Sequence, residues 1–139
     1  MNNNINPGID VNSLSVLVVD DVPLNILLIK KMLSQYTFEI RTANSGQAAL
    51  DAIAEKKVDL LLLDLMMPGI DGFEVIRRLR AAEDTKDLPI IILSALNSEQ
   101  DISKGFQLGA NDFLNKPIIM EKLINSVTMQ INLQASKKA

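Results

Sequence analysis

Three aspartates and one lysine stand where short apolar runs end, and their residue types suit work on a phosphoryl group. The run at 16–19 stops at Asp20 and Asp21, the run at 60–63 stops at Asp64, and the run at 113–115 stops at Lys116 and Pro117. Two carboxylates ~4 Å apart repel by about 4 kcal/mol at an effective dielectric near 20. Three of them sharing one edge therefore call for a cation or a proton. The chain has no histidine and no cysteine, so a metal here has to be held by oxygen, which points to a hard cation such as Mg²⁺, with Mn²⁺ as a substitute. Lys116 adds a compact positive charge, Ser94 adds a hydroxyl directly after the apolar run 90–93, and Ala95 is small enough to leave an entrance. A metal, an ammonium and a hydroxyl facing one carboxylate can stabilise the charge that develops in phosphoryl transfer. Asp64 is the central member and the expected nucleophile, forming an acyl phosphate. An ionised carboxylate attacks without a general base, which fits a chain lacking histidine.

Taken singly, each residue has a plainer reading. Asp20 or Asp21 could cap a helix, Asp64 could belong to the Pro-Gly turn that follows it, Ser94 could satisfy backbone, and Lys116 could be a solvated surface charge. The Met66-Met67 pair suits packing. Their joint occurrence at four run ends favours a single site.

The elements that would position these residues alternate along the chain. Runs of four apolar residues between polar breakers read as buried strands of a parallel sheet, and ligands of such sheets bind beyond the carboxyl ends of the strands. Pro23 suits the first turn of a helix carrying Leu24, Leu27, Leu28 and Met32. Residues 39–43 read as a strand, and Asn44 with Gln47 reads as a capping box for a helix through about Glu55. Asp71 with Glu74 reads as another capping box, opening a helix bearing Val75, Ile76 and Leu79, and Pro89 launches the strand at 90–93. Asn97 or Ser98 caps a helix with Ile102 and Phe106 that Gly109 ends, and a last helix from about Ile118 carries Met120, Leu123, Ile124, Val127 and Ile131. Five such βα units with short connections predict an α/β fold, a doubly wound five-stranded parallel sheet in a flavodoxin-like three-layer sandwich. Residues 1–12 are expected to form a flexible leader, 13–135 the domain, and 136–139 a polar end.

Composition bounds the function. At 139 residues, 47% hydrophobic and 22% charged, the chain fits one ordinary domain. A net charge of −3 supplies no basic field for nucleic acid. No apolar stretch reaches the length of a membrane span and the start does not look like a signal peptide, so the cytoplasm is the expected location.

The motifs resemble those of the response-regulator receiver domain of two-component signalling, from about Ser15 to the end of the last helix. The matching residues are Val18-Val19-Asp20-Asp21, the stretch from Asp64 through Met66-Met67-Pro68-Gly69 to Gly72, Ser94-Ala95, and the stretch from Gly109 to Lys116-Pro117. The resemblance implies phosphorylation of Asp64 by a histidine kinase or phosphotransfer protein. It implies Mg²⁺ bound by Asp21, Asp64 and the Met66 backbone carbonyl, with Asp20 acting largely through water. It further implies a phosphoryl contact from Lys116, a cis bond between Lys116 and Pro117, and a switch pair of Ser94 and Phe113. The face made by the fourth helix, fifth strand and fifth helix would then change its protein partner. A monomer or a weak phosphorylation-dependent dimer is expected, with no catalysis beyond the domain's own phosphorylation and dephosphorylation. Ser94 stands where the family commonly has Thr, and Asn111 where Asp is frequent. Met66 and Leu96 occupy positions that tune hydrolysis in the family, and neither can orient a water, which predicts a long-lived phosphoryl state.

Two rivals are weaker. A phosphatase of the haloacid-dehalogenase type needs an acid two residues after its nucleophile, and Met66 and Val22 stand there instead. A flavodoxin-like cofactor module needs a Gly-, Ser- or Thr-rich phosphate loop after the first strand, where this chain has Asp20-Asp21-Val22-Pro23. The same motifs fit a stand-alone receiver or the receiver part of a larger regulator or hybrid kinase, and the start at Met1 favours a chain that begins here.

Overall fold

A computed structural model describes residues 5–138. Five strands alternate with five helices: β1 (Ser15–Val19), α1 (Pro23–Met32), β2 (Glu39–Ala43), α2 (Gly46–Glu55), β3 (Leu60–Leu63), α3 (Gly72–Ala81), β4 (Ile90–Ser94), α4 (Glu99–Leu108), β5 (Asp112–Asn115) and α5 (Met120–Lys138). The strands form one parallel sheet in the order β2-β1-β3-β4-β5. This is the doubly wound flavodoxin-like fold expected from the alternation.

Period-two geometry explains how runs with no polar residue serve such a sheet, because neighbouring side chains point to opposite faces and both faces are covered. Leu17, Val19, Leu61, Leu63, Ile90 and Ile92 meet Ala49, Val75, Ile76 and Leu79 of α2 and α3. Val16, Val18, Leu60, Leu62, Ile91 and Leu93 meet Ile29 and Leu33 on one flank and Leu123, Val127 and Ile131 of α5 on the other. Each fully buried Leu or Ile contributes about 1.5–3 kcal/mol of transfer free energy before chain entropy is counted.

The structure corrects three local expectations. Leu24, Leu27 and Leu28 do not face the core and are all exposed, whereas Ile26, Ile29 and Met32 pack inward. Both sides of α1 are apolar, so periodicity alone could not choose between them. The N-cap of α2 is Ser45, whose hydroxyl accepts from the Ala48 N–H at 3.0 Å, and Gln47 instead bonds to Asp51. At α3, Asp71 caps the Glu74 N–H at 2.9 Å as expected, but the Glu74 carboxylate turns forward to Arg77 and Arg78 and does not close the capping box.

Among the described residues, the stretches next to both ends are structured as well. Of the residues read as a leader, Ile5, Ile9 and Val11 pack on the α1–α5 side of the core. Asp10 caps a short 3₁₀ turn at Val11–Ser13, and the Asn6 N–H donates to Asn132 Oδ1 of α5 at 2.8 Å. The stretch read as a polar end continues α5 through Lys138. Residues 1–4 and Ala139 lie outside the described residues.

Candidate functional site

Strand order places the acidic residues before any side chain is considered. Crossovers leave β1 toward β2 on one side and toward β3 on the other, and the crevice beyond the carboxyl ends at such a reversal is where open α/β sheets bind ligands. Asp20 and Asp21 follow β1 and Asp64 follows β3, its neighbour. Backbone ladders run on into the site: the Asp64 N–H donates to the Val19 carbonyl at 3.0 Å, and the Lys116 N–H donates to the Ser94 carbonyl at 2.9 Å.

One local device recurs at three strand ends. Asp20 Oδ1 accepts from the Val22 N–H at 2.9 Å, Asp64 Oδ1 from the Met66 N–H at 3.3 Å, and Ser94 Oγ from the Leu96 N–H at 3.1 Å. Short polar side chains commonly bond backbone two residues ahead in this way. The turn fixes each side chain and, for the two aspartates, leaves Oδ2 free to face its neighbours. Asp20 Oδ2 takes Lys116 Nζ at 2.8 Å and Asn25 Nδ2 at 3.2 Å, and Asp64 Oδ2 lies 3.5 Å from Lys116 Nζ. Neither Asp20 nor Asp21 caps α1, because Val22 holds that position and Pro23 begins the helix. The capping alternative for these residues falls away.

Oxygen atoms of Asp20, Asp21 and Asp64 all lie within 4.8 Å of one another. Asp20 is 6% exposed, Asp64 5% and Ser94 0%, while Asp21 is the most open of the three acids. Burial pushes the Asp64 carboxyl above the usual carboxylate range, and the charge of Asp20 pushes the same way. The Lys116 ammonium and the Met66 N–H oppose them without restoring the ordinary value. One ammonium is thus too little positive charge for three clustered acids, and a hard divalent cation with oxygen ligands fits what remains.

The other expected residues converge less tightly. Ala95 is exposed beside Ser94. Phe113 is half-buried on β5 and packs on the α2–α4 side of the sheet. The Lys116-Pro117 peptide bond is cis. Met66 is 56% exposed next to Asp64.

Two features escaped the sequence. Asn25 reaches back from α1 to Asp20, and its only signal was an amide one turn into a helix that follows an acidic pair. Exposed apolar side chains follow the charged positions as well: Val22, Leu24, Leu27 and Leu28 after Asp21, Met66 after Asp64, and Ile119 and Met120 after Lys116.

The sequence model described as "Response regulator receiver domain" matches residues 16–128. The chain belongs to this family. Receiver domains take phosphoryl groups from histidine kinases, act on downstream partners and bind Mg²⁺ at an acidic cluster. The chain is 36% identical over 128 residues to the Vibrio cholerae protein named "Probable cyclic di-GMP phosphodiesterase", covering 92% of this chain and 29% of that one. It is 42% identical over 106 residues to response regulator PleD of Caulobacter vibrioides, covering 76% of this chain and 23% of PleD. The receiver therefore spans less than a third of these two relatives. A response regulator structure from Chloroflexus aurantiacus superposes with a TM-score of 0.80 at 35% identity, covering 84% of this chain and 96% of that one. Among the described residues no helix is long and apolar enough to cross a membrane.

Proposed function

We propose that this receiver accepts a phosphoryl group on Asp64 from a phosphohistidine of a kinase or phosphotransfer protein and passes the event on as a changed protein-binding face. The observation that carries the reading is the placement of Asp64: nearly buried at the end of the central strand, with Asp20, Asp21 and Lys116 around it. In the transfer, the P–N bond to the donor imidazole breaks with its electron pair going to nitrogen, and an O–P bond forms to a carboxylate oxygen of Asp64. Lys116 lies close enough to pair with the new phosphoryl oxygens, and the Ser94 hydroxyl at the neighbouring strand end is a hydrogen-bond donor to them. Asp20, Asp21, Asp64 and the Met66 carbonyl would hold Mg²⁺, or Mn²⁺ in its place, which supplies charge neutralisation during transfer.

With no histidine in the chain, the donor is another molecule or another segment. The exposed apolar side chains after each charged position suit a protein donor, since a small phosphodonor needs no such rim. Ser94 and Phe113 are assigned as the switch pair, and α4, β5 and α5 as the face that meets a downstream protein. The chain's own chemistry is limited to gaining and losing this phosphoryl group. A net charge of −3 supplies no overall basic field for direct nucleic-acid contact, and the cytoplasm suits the proposed donors.

Intact mass after incubation with Mg²⁺ and acetyl phosphate tests the reading. Wild type is expected to gain one phosphoryl adduct and Asp64→Asn none. An adduct in both proteins, or in neither, overturns it.

A further inference from the structure

Helix α4 is held to the sheet without a fully buried side chain. Its one buried residue is Gly105, which has no side chain to bury. Ile102 is half-buried, Phe106 is 45% exposed, and Lys104 lies over the ring of Phe73 with Nζ 4.4 Å from its centroid. By contrast, α3 sinks Val75, Ile76 and Leu79. A glycine in a helix interior is unfavourable unless packing requires it. Here packing does. A Cβ at Gly105 would stand 2.7 Å from Ile92 Cδ1, and 3.4 and 3.6 Å from Cδ2 and Cε2 of Phe113. Ile92 is fully buried on β4 and has little room to retreat, whereas Phe113 is half-buried and has space on its solvent side.

We propose that Gly105 is a positioning residue that seats the α4 backbone directly on Ile92 and the Phe113 ring, so that ring and helix shift together. Beyond this seat the helix is held by half-buried Ile102 and Leu108 and by the Lys104–Phe73 contact, and by no fully buried side chain, which leaves it latitude for that movement. This deepens the reading above, because it rests on Phe113 as the moving member of the switch and supplies the contact through which α4 would feel it.

Amide hydrogen exchange of α4 in the resting protein tests the seat. On helix propensity alone, Gly105→Ala should slow exchange about fivefold. The seat predicts the opposite, severalfold faster exchange, because the added methyl lifts the helix off Ile92. Adding Ile92→Val, which deletes the offending Cδ1, should bring the rate back to wild type or below. Slower exchange in Gly105→Ala, or no recovery in the double variant, overturns the proposal. Should Gly105→Ala fail to fold, Phe113→Ala removes the ring and adds nothing to the helix. Faster α4 exchange is then expected, and a wild-type rate overturns the seat.

The coupling is read after acetyl phosphate and Mg²⁺ treatment. Wild type and Gly105→Ala should gain the adduct on Asp64 equally, while the accompanying change in α4 exchange appears in wild type and is lost in the variant. A full change in the variant overturns the coupling. If wild type gains no adduct, the phosphoacceptor reading fails, and the resting-state comparison still decides the seat.

Discussion

Lys116 is paired with Asp20 across the mouth of the sheet: Nζ lies 2.8 Å from Asp20 Oδ2 and 3.5 Å from Asp64 Oδ2. The ammonium therefore has a partner on each of two strands and leans toward the one that does not take the phosphoryl group in the reading above. A new negative charge on Asp64 would compete with Asp20 for it.

That pairing predicts the effect of removing the charge. Lys116→Met leaves three acids with no internal cation, so Mg²⁺ should bind more tightly, by roughly tenfold. The Mg²⁺ dependence of the thermal midpoint measures this, since a bound ion stabilises the folded state by mass action. Unchanged or weaker binding would show that the ammonium and the metal do not share these carboxylates.

Phosphoryl lifetime is the second prediction. Met66 is 56% exposed beside Asp64 and carries nothing that can position a water. Met66→Asn should speed loss of the phosphoryl group severalfold in Mg²⁺ buffer while leaving thermal stability nearly unchanged. Equal rates would remove Met66 from the control of hydrolysis.

Arg80 should matter for folding and not for the chemistry. Its guanidinium donates to the carbonyls of Thr85, Leu88 and Gly109 and to Asn111 Oδ1, tying the end of α3 to two loops. Arg80→Ala should cost about 2–3 kcal/mol in denaturant unfolding. Arg80→Lys should recover little of that, because a point charge cannot reproduce the fork. Asp64 modification by acetyl phosphate should be normal in both variants.

A pH effect follows from Glu74, whose carboxyl is held down to about 2 from 4.5 by hydrogen bonds from Arg77 and Arg78. Because the folded value is the lower one, the contribution is present above 4.5 and fades as pH falls through about 2. Glu74→Gln should be slightly less stable than wild type near neutrality, with the gap closing in acid. Exposed pairs are worth little, so the gap is small. A gap that persists below the folded value would mean that Glu74 acts through shape and not charge.

How far the sequence carried depended on how exclusive each signal was. Strands β2 and β3 were legible to the residue at 39–43 and 60–63: Asp59 and Asp64 bound β3, and Asn44-Ser45-Gly46 ends β2. The acids were legible because chemistry and position agreed at several run ends together. Helix α1 was misread because Leu24, Leu27 and Leu28 are as apolar as the face that Ile26 and Ile29 present to the sheet. Asn25 and the shared two-residue turns stayed hidden for a different reason: a hydrogen bond from α1 back to Asp20 depends on the angle at which the helix leaves β1. The packing of Ile5, Ile9 and Val11 was obscured by the Asn-rich stretch around them.

The bond from the Asn6 N–H to Asn132 places the incoming chain against the far part of α5. Because α5 runs back across the sheet from the reacting edge, polypeptide enters and leaves this unit at one pole while its acids work at the other. A unit wired this way can be spliced into a longer polypeptide like a plug with both leads on one side. Neighbouring domains can be exchanged there without touching the residues that surround Asp64.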